Sequence, residues 1–331
     1  MFRSMITAKS LFQNGQFQTT IKRTLKCSSI NNVKVGFIGI GNMGSNMCAN
    51  LQKNGHELIL YDPNPNAIKD LIAGGNARSV SSPAEVAQQS ERVFTMVPFP
   101  TDVLNVYTGP NGLIANARKE TILIDSSTVD PETSKKIETE ATAKGIRFVD
   151  APVTGAVPAA RAGTLTFIVG GPKETVDELR ELLLCMGKNV IHCGTTGMGS
   201  VAKLCNNMML AISMIGTAET LNLARRSGLD PKLMTDILNI SSGRTWVSEG
   251  YNPVPGVGSS TTPSSNDYDK GFRSSLLAKD LNLAQLISVQ SQSPTPMGST
   301  ASQYYRILVN NEKYADKDFS AIYEFLKGQK N

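Results

Sequence analysis

A glycine-rich turn between two strand-like segments constrains the fold of this chain more than any other feature. Residues 33–38 (VKVGFI) have the composition of a buried strand and lead directly into Gly39-Ile40-Gly41-Asn42-Met43-Gly44. A strand followed by G-x-G-x-x-G and a helix is typical of the phosphate-binding turn in a dinucleotide-binding βαβ unit. Gly39 permits the tight turn, Gly41 lets backbone amides approach a pyrophosphate, and Gly44 lets the helix pack closely against the strand.

The second strand-like segment, residues 57–62, ends in a carboxylate, Asp62, which lies 18 residues after Gly44. A carboxylate at this spacing accepts hydrogen bonds from the hydroxyls of an adenosine ribose. Pro63 and Asn64 follow it and the next cation is Lys69, so a 2′-phosphate would meet an uncompensated negative charge. The pattern therefore predicts NAD as the cofactor in preference to NADP.

The positive charge of the chain is concentrated at its start. The 331 residues carry a formal net charge of +5, from 33 basic and 28 acidic residues. Residues 1–30 hold no acidic residue and five basic ones, Arg3, Lys9, Lys22, Arg23 and Lys26, so the remainder is neutral. Spaced basic residues among Ser, Thr and Gln are typical of a mitochondrial transit peptide, although a disordered tail is the alternative. We expect a transit peptide over 1–30, a location in the mitochondrial matrix, and no nucleic-acid partner.

Two further classes are disfavoured by composition. No apolar run approaches the roughly 20 residues that span a bilayer, so we expect no membrane association. The chain has two histidines and five cysteines without a CxxC pair. Metal sites need ligands at recognisable spacing, so we expect no metal, and the odd cysteine count fits reduced thiols.

Strand-like and helical segments alternate as far as Gly194. Strands are predicted at residues 33–40, 57–62, 92–97, 121–125, 147–150, 165–170 and 189–192, which implies a mostly parallel sheet covered by helices. After Met198 the helical period takes over, in segments 198–227, 231–240, 274–292, 297–311 and 318–327. We therefore predict an α/β Rossmann-type NAD-binding domain over 31–195, followed by an all-α substrate and oligomerisation domain over 196–331 that is entered through one long helix.

A lysine lies in an unusually apolar setting near the start of that long helix, in the segment GSVAKLCNN at residues 199–207. Lys203 and Asn207 are four residues apart and share one helix face, and we expect Gly199 to leave space for a ligand on the same face. Partial burial would lower the pKa of Lys203 and let it act as a general acid or base. Alternatively, its stem covers apolar surface while its ammonium reaches water.

A third segment follows the fifth predicted strand and runs from Asp150 to Gly163 (DAPVTGAVPAARAG). Backbone N–H groups around Thr154 and Gly155, together with the Thr154 hydroxyl, could hold a carboxylate. An ordinary strand-to-helix turn is the alternative.

These segments together resemble the 3-hydroxyacid dehydrogenase family, from about Val33 to Leu326. The resemblance implies that Lys203 is the catalytic lysine and that Asn207 orients the substrate beside it. It also matches Trp246 and the segment that begins at Tyr251 to a substrate loop. It implies that the cofactor is held by Gly39, Ile40, Gly41, Asn42, Met43, Gly44, Asp62, Val97, Pro98, Asp102, Thr128 and Lys279. The implied substrate contacts are Thr128, Thr154, Gly155, Ala156, Lys203 and Asn207.

Two residues depart from the family pattern. Ala156 stands where the family has the second glycine of a pair, which raises the question of whether this position needs a positive φ. Asp102 stands where close relatives carry Asn, and it would add negative charge near the nicotinamide unless its side chain is turned away.

The resemblance implies oxidation of a small 3-hydroxy acid, and we expect 3-hydroxyisobutyrate to be converted to methylmalonate semialdehyde, a step of valine catabolism, with the hydride passing to NAD. The alternatives are a reductase for another small semialdehyde, of the tartronate, succinate or glyoxylate type, and a non-catalytic dinucleotide-binding module. A histidine-based dehydrogenase would have to use His56 or His192, and neither lies in a matching motif. Tyr323 and Lys327 satisfy the Tyr-x-x-x-Lys pattern of another dehydrogenase class, but the apolar spacing of residues 319–326 predicts a core-packing helix there.

The long helix carries more apolar residues than one core-facing stripe requires. We expect five of them to be exposed and to form a subunit interface: Met208, Met209, Ile212, Met214 and Ile215. A homodimer or homotetramer is therefore predicted.

Overall fold

The structure is a computed structural model that describes residues 33–328, so the predicted transit peptide lies outside the described residues. The strands are β1 (Lys34–Ile38), β2 (Glu57–Tyr61), β3 (Ala77–Ser79), β4 (Arg92–Thr95), β5 (Ile122–Asp125), β6 (Arg147–Asp150), β7 (Val153–Thr154), β8 (Leu165–Val169) and β9 (Gly187–His192).

The α-helices of the first half are α1 (Gly44–Lys53), α2 (Lys69–Ala73), α3 (Pro83–Gln89), α4 (Pro100–Tyr107), α5 (Leu113–Asn116), α6 (Pro131–Thr142), α7 (Ala156–Ala162) and α8 (Lys173–Leu184). Those of the second half are α9 (Met198–Arg226), α10 (Pro231–Asn239), α11 (Trp246–Gly250), α12 (Ser274–Gln290), α13 (Pro296–Val309) and α14 (Ile322–Gly328). Short 3₁₀-helices lie at Pro65–Ile68, Pro263–Asn266 and Phe319–Ala321.

Six strands form one parallel sheet in the order β3-β2-β1-β4-β5-β6. The order reverses at β1, whose neighbours are β2 and β4, and this is the Rossmann arrangement with its ligand crevice at the carboxyl ends of the strands. Val35, Phe37 and Ile38 of β1 are fully or almost fully buried, as expected for a strand covered on both faces. The predicted fold class is confirmed.

The parallel sheet has fewer strands than the number of predicted strands suggests, because β8 and β9 do not belong to it. They form a separate three-stranded sheet with β7, in which β7 and β8 are antiparallel and β8 and β9 are parallel. The predicted mostly parallel sheet is present, but two of the predicted strands pair outside it, since alternation of segments does not specify which strands pair. The sequence also missed β3 and β7, whose three and two residues are too short to show a period.

Two apolar layers cover the parallel sheet. One face packs against α1, α8 and the second sheet, in a cluster that includes Phe37, Leu60 and Phe94. The other face packs against α3, α4 and α6, in a cluster that includes Ile38 and Val93. The strands therefore alternate between two cores, and the loops at their carboxyl ends are left free to line a site.

The 29-residue helix α9 is the axis of the second half. Met214 and Ile215 pack into a core shared with α12, α13 and α14. Their predicted exposure was therefore wrong, because the second half wraps around α9 from several sides. Met209 is exposed as predicted, and Met208 and Ile212 are partly buried.

By length and composition α9 could cross a membrane, which corrects the expectation that no segment is apolar enough. In this structure 39% of its most apolar 18-residue window is buried inside the protein. The apolar residues that raise its hydropathy, such as Ala211 and Leu221, belong to the core of the helical half. The core helix of a folded protein passes the same test of composition, so this finding is only weak evidence for a membrane span.

Candidate active site

The glycine turn after β1 has the geometry that its sequence predicts. Gly39 has a φ of 92°, in the left-handed region, and a Cβ there would lie 2.3 Å from the carbonyl oxygen of Met96. A Cβ on Gly44 would lie 2.0 Å from the carbonyl oxygen of Gly39, so a side chain would push α1 away from the turn. A Cβ on Gly41 would meet no atom within 4 Å, and the approach to the turn is therefore open.

Asp62 closes this turn from the end of β2. Its Oδ2 accepts a hydrogen bond from Ile40 N–H at 2.7 Å, and its Oδ1 accepts one from Asn64 N–H at 2.8 Å. Within the described chain, the N–H groups of residues 41–43 have no hydrogen-bond acceptor. These donors stand at the positive end of α1, so the turn fits the pyrophosphate of a dinucleotide and Asp62 fits its ribose.

The loops after β4 and β5 are joined beside the turn. Val97 N–H donates to Ser127 Oγ at 3.0 Å, and Ser127 N–H donates to Asp125 Oδ1 at 3.0 Å. Because the carboxyl ends of parallel strands meet at one edge, these loops flank the dinucleotide crevice. Pro98 and Thr128 lie in them, and their contacts with the nicotinamide stay predictions.

Asp102 lies in the first turn of α4. Its Oδ2 accepts a hydrogen bond from Phe99 N–H at 3.3 Å. A carboxylate in this position interacts favourably with the positive end of the helix dipole. The side chain therefore caps its own helix, and this interaction offsets part of the negative charge that Asp102 brings to the region.

Residues from α9, α12 and the loop after β5 meet at one cluster. Asn207 Nδ2 donates to Asp280 Oδ2 at 2.6 Å, and Lys279 Nζ pairs with Asp280 Oδ1 at 2.9 Å. Lys279 Nζ also donates to the carbonyl oxygen of Thr128 at 2.6 Å. Lys203 lies one turn before Asn207 and interacts electrostatically with both Asp280 and Lys279. The structure thus brings together four residues that the sequence predicted separately: Thr128, Lys203, Asn207 and Lys279.

The environment of Lys203 favours a role as general acid or base over the alternative in which its ammonium simply lies in water. Burial lowers its pKa from 10.5 to about 8, and the positive charge of Lys279 lowers it further, while the charge of Asp280 opposes both effects. A lysine with such a pKa holds both protonation states near physiological pH.

Asp280 is the site residue that sequence reasoning missed. It is 2% exposed, and it is the common partner of Asn207 and Lys279. An acidic residue in the apolar segment LLAKDLNLA at 276–284 was the available signal, because such a side chain is rarely buried without a partner.

The proposed carboxylate-binding segment is a strained turn. Thr154 ends β7, Gly155 has a φ of 129° and Ala156 has a φ of 57°, so the positive φ expected for glycine is kept by an alanine. Within residues 33–328 no hydrogen bond or ion pair joins this segment to Lys203 or Asn207. Its contact with substrate therefore stays a prediction.

The rival catalytic groups lie elsewhere. His56 is 2% exposed beside Cys185, and burial lowers its pKa. His192 is hydrogen-bonded through Nε2 to the carbonyl oxygen of Gly171. Tyr323 is 1% exposed in the helical core, as its spacing predicted. In the part of the chain that is described, no group of three His, Cys, Asp or Glu side chains could hold a metal ion.

Comparison with known families divides the chain at the start of α9. Residues 34–197 match the NAD-binding domain of 6-phosphogluconate dehydrogenase. Residues 197–326 match the family described as the NAD-binding domain of NADP-dependent 3-hydroxyisobutyrate dehydrogenase.

Full-length relatives agree with these matches. The chain is 51% identical to mitochondrial 3-hydroxyisobutyrate dehydrogenase of Mus musculus over 88% of this chain and 87% of that protein. It is 49% identical to the Homo sapiens protein of the same name, over 95% and 91% respectively. The structure of Mycobacterium tuberculosis 3-hydroxyisobutyrate dehydrogenase with L-serine superimposes with a TM-score of 0.83 at 36% identity, covering 90% of this chain and 100% of that one.

The left-handed backbone at Ala156 should be measurable as strain. We expect Ala156→Gly to raise the free energy of unfolding by about 1 kcal/mol, because glycine adopts positive φ without a Cβ penalty. Ala162→Gly, at an exposed position of the same helix, is the matched control and should lower stability by about 0.5–1 kcal/mol. Urea unfolding of both variants checks the sign, and equal losses in the two would contradict the strain.

Proposed function

The chain belongs to the 3-hydroxyisobutyrate dehydrogenase family, and we propose that it catalyses the reversible NAD-dependent oxidation of 3-hydroxyisobutyrate to methylmalonate semialdehyde. The observation that carries the proposal is the cluster of Lys203, Asn207, Lys279 and Asp280, which is bonded through Lys279 to the Thr128 carbonyl beside the dinucleotide crevice. This cluster provides a proton-exchanging amine where a substrate hydroxyl would face a bound nicotinamide.

The chemistry divides between cofactor and protein. When bound, NAD accepts a hydride from the hydroxyl-bearing carbon of the substrate. Neutral Lys203 takes the hydroxyl proton on Nζ, and its ammonium form returns that proton in the reverse reaction. Asn207, held by Asp280, keeps its amide one turn from Lys203 and holds the substrate in register.

We assign the substrate carboxylate to the turn at Thr154, Gly155 and Ala156, with Thr128 beside it. Successive N–H groups in a turn with positive φ form a concave donor surface that suits a carboxylate. The Mycobacterium tuberculosis relative was solved with L-serine, which is itself a small 3-hydroxy acid. That ligand supports the substrate class.

The cofactor is NAD, and the residues of the turn fit it. The Asp62 carboxylate lies beside the glycine turn, where a ribose 2′-phosphate would be repelled. The family matched at residues 197–326 is described as NADP-dependent. In this chain the negative charge of Asp62 argues for NAD instead.

We also propose a cellular location and domain boundaries for this protein. The mitochondrial names of the relatives and the basic leader place the protein in the mitochondrion, and we propose the matrix. We also propose that residues 1–30 are a transit peptide, and that the NAD-binding and helical domains span residues 31–195 and 196–331. The family matches at 34–197 and 197–326 support that division.

A homo-oligomer is proposed from the exposed apolar side chains of the helical half. Met209 is 61% exposed, Leu223 67%, Ile240 87% and Val289 76%, and a subunit interface would remove such side chains from water. We expect a dimer or tetramer by light scattering, and a smaller assembly for the double variant Met209→Glu/Leu223→Glu. Ser227→Glu, at the exposed end of the same helix, should keep the native mass. A monomeric native protein would contradict the proposal.

Lys203→Ala tests the proposed reaction. We expect kcat to fall by about 10²- to 10⁴-fold, because the general base is lost, while NADH affinity changes less than about twofold. Lys203→Arg should be equally inactive since its guanidinium stays protonated, and Lys232→Ala, on the exposed surface of α10, should behave as wild type. Retained turnover in Lys203→Ala would exclude the assigned role.

Steady-state kinetics then separates the substrate alternatives. We expect the highest kcat/KM with 3-hydroxyisobutyrate and NAD, compared with glycerate, 4-hydroxybutyrate and NADP. Preference for glycerate or 4-hydroxybutyrate would indicate a reductase of another semialdehyde. NAD binding without turnover of any of the three would indicate a non-catalytic module.

The pH dependence should identify the charge that tunes Lys203. The rate of oxidation should rise as the pH passes the pKa of Lys203, about 8, and should level off above it as Lys203 becomes neutral. Asp280→Asn removes the charge that raises the pKa of Lys203, so the rising limb should move to lower pH. Asp316→Asn, on an exposed carboxylate, should leave the limb in place. An unmoved limb in Asp280→Asn would contradict this electrostatic link.

A further inference from the structure

A buried carboxylate connects the Rossmann sheet to the first turn of α9. Asp150, the last residue of β6, is 1% exposed. Its Oδ1 accepts a hydrogen bond from Gly197 N–H at 2.7 Å, and its Oδ2 accepts one from Ser200 N–H at 2.8 Å. Both carboxylate oxygens are thus bonded to backbone donors at the start of the helix that carries Lys203.

Gly199 and Gly170 lie beside this carboxylate, and neither position has room for a side chain. A Cβ on Gly199 would lie 2.5 Å from the carbonyl oxygen of Ile168 and 2.8 Å from Asp150 Oδ2. A Cβ on Gly170 would lie 2.5 Å from Asp150 Oδ1 and 2.9 Å from Gly199 N. The first turn of α9 therefore sits directly on the ends of β6 and β8, and any added atom must displace it. The expectation that Gly199 leaves space for a ligand was wrong, because the sheet ends occupy that space.

The electrostatics of the position match this geometry. Burial raises the pKa of Asp150, and the N–H groups of Gly197 and Ser200 lower it by stabilising the carboxylate. The positive end of the α9 dipole adds to that stabilisation. An apolar side chain at position 150 would leave two buried backbone donors unsatisfied.

The contact between Asp150 and the start of α9 lies one helical turn from the catalytic lysine. Gly199 and Lys203 are four residues apart, and an α-helix repeats every 3.6 residues, so they lie on one face of α9. The sheet end that carries Asp150 belongs to the half that holds the glycine turn and the crevice for NAD. The relative position of Lys203 and the nicotinamide is therefore set where α9 begins.

We propose that Asp150 is a positioning residue for the reaction: its carboxylate fixes the first turn of α9 against β6 and β8, and thereby sets the distance from Lys203 to the substrate hydroxyl. This inference rests on the proposed function. It gives Asp150, the first residue of the segment that the sequence analysis singled out as a carboxylate holder, a task in which it does not contact substrate. A displacement of about 1 Å at a reacting group can lower a rate about 100-fold, so a small shift of this turn is sufficient.

Two variants disturb the link from opposite sides. Asp150→Asn replaces one carboxylate oxygen by an NH2 group, which cannot accept a hydrogen bond from a backbone N–H. Gly199→Ala keeps the carboxylate and pushes the turn away from Ile168 and Gly170. The matched controls are Asp230→Asn, which alters the carboxylate that caps α10, and Gly328→Ala in α14, whose Cβ would meet no atom within 4 Å.

We expect both variants to lower kcat at least about tenfold, and to change the NADH dissociation constant less than about twofold. The deuterium isotope effect on kcat with substrate labelled at the hydroxyl-bearing carbon should rise, because hydride transfer becomes rate-limiting. Both controls should match wild type. Wild-type kcat in folded Asp150→Asn would overturn the proposal, as would an equal loss of kcat, NADH affinity and thermal stability. If Asp150→Asn does not fold, Gly199→Ala decides by the same criteria.

A readout without turnover separates this inference from the proposed function. The pH dependence of Lys203 acetylation by acetic anhydride, followed by peptide mass spectrometry, gives the pKa of Lys203 with no substrate. In both variants that pKa should move from about 8 towards the ordinary value of 10.5, since a displaced turn admits water to the ammonium. An unchanged pKa overturns the positioning role, whatever substrate the wild-type enzyme oxidises.

Discussion

The contact from Lys279 to Asp280 and to the Thr128 carbonyl holds the helical half of this protein against its dinucleotide-binding sheet. Lys279 Nζ lies 2.9 Å from Asp280 Oδ1 and 2.6 Å from the carbonyl oxygen of Thr128. Asp280 in turn holds Asn207, which shares a face with Lys203. A loop from the sheet and two helices from the other half therefore meet through Lys279 and the buried carboxylate beside it.

The charges of Lys203, Lys279 and Asp280 can be buried favourably only when they are buried together. A lone buried ammonium or carboxylate pays a large desolvation penalty, and each added partner offsets part of it. Burial lowers the pKa of Lys203 to about 8, because the charge of Asp280, which also pairs with Lys279, offsets only part of the desolvation. The same imbalance that weakens the cluster as a structural support makes Lys203 suitable for exchanging protons.

Close backbone packing supplies the second requirement, which is position. Gly199 and Gly170 let the start of α9 touch the sheet ends, and Asp150 satisfies the donors that this contact would otherwise strand. Ala156 shows the converse, since an alanine is held at a φ of 57° in the turn assigned to the substrate carboxylate. Strained or tightly packed backbone around a site persists only when the surrounding structure overdetermines it.

The sequence alone determined the Rossmann turn, the NAD preference and the long helix, because glycine spacing, strand-end carboxylates and helical periodicity are local patterns. It also singled out Lys203 and Asn207, since both lie on one helix face. It could not determine that β8 and β9 form their own sheet, that Met214 and Ile215 are buried, or that Asp280 completes the cluster. Only the tertiary structure decided these points, because strand pairing, burial and the partner of a charge depend on contacts between residues far apart in the chain.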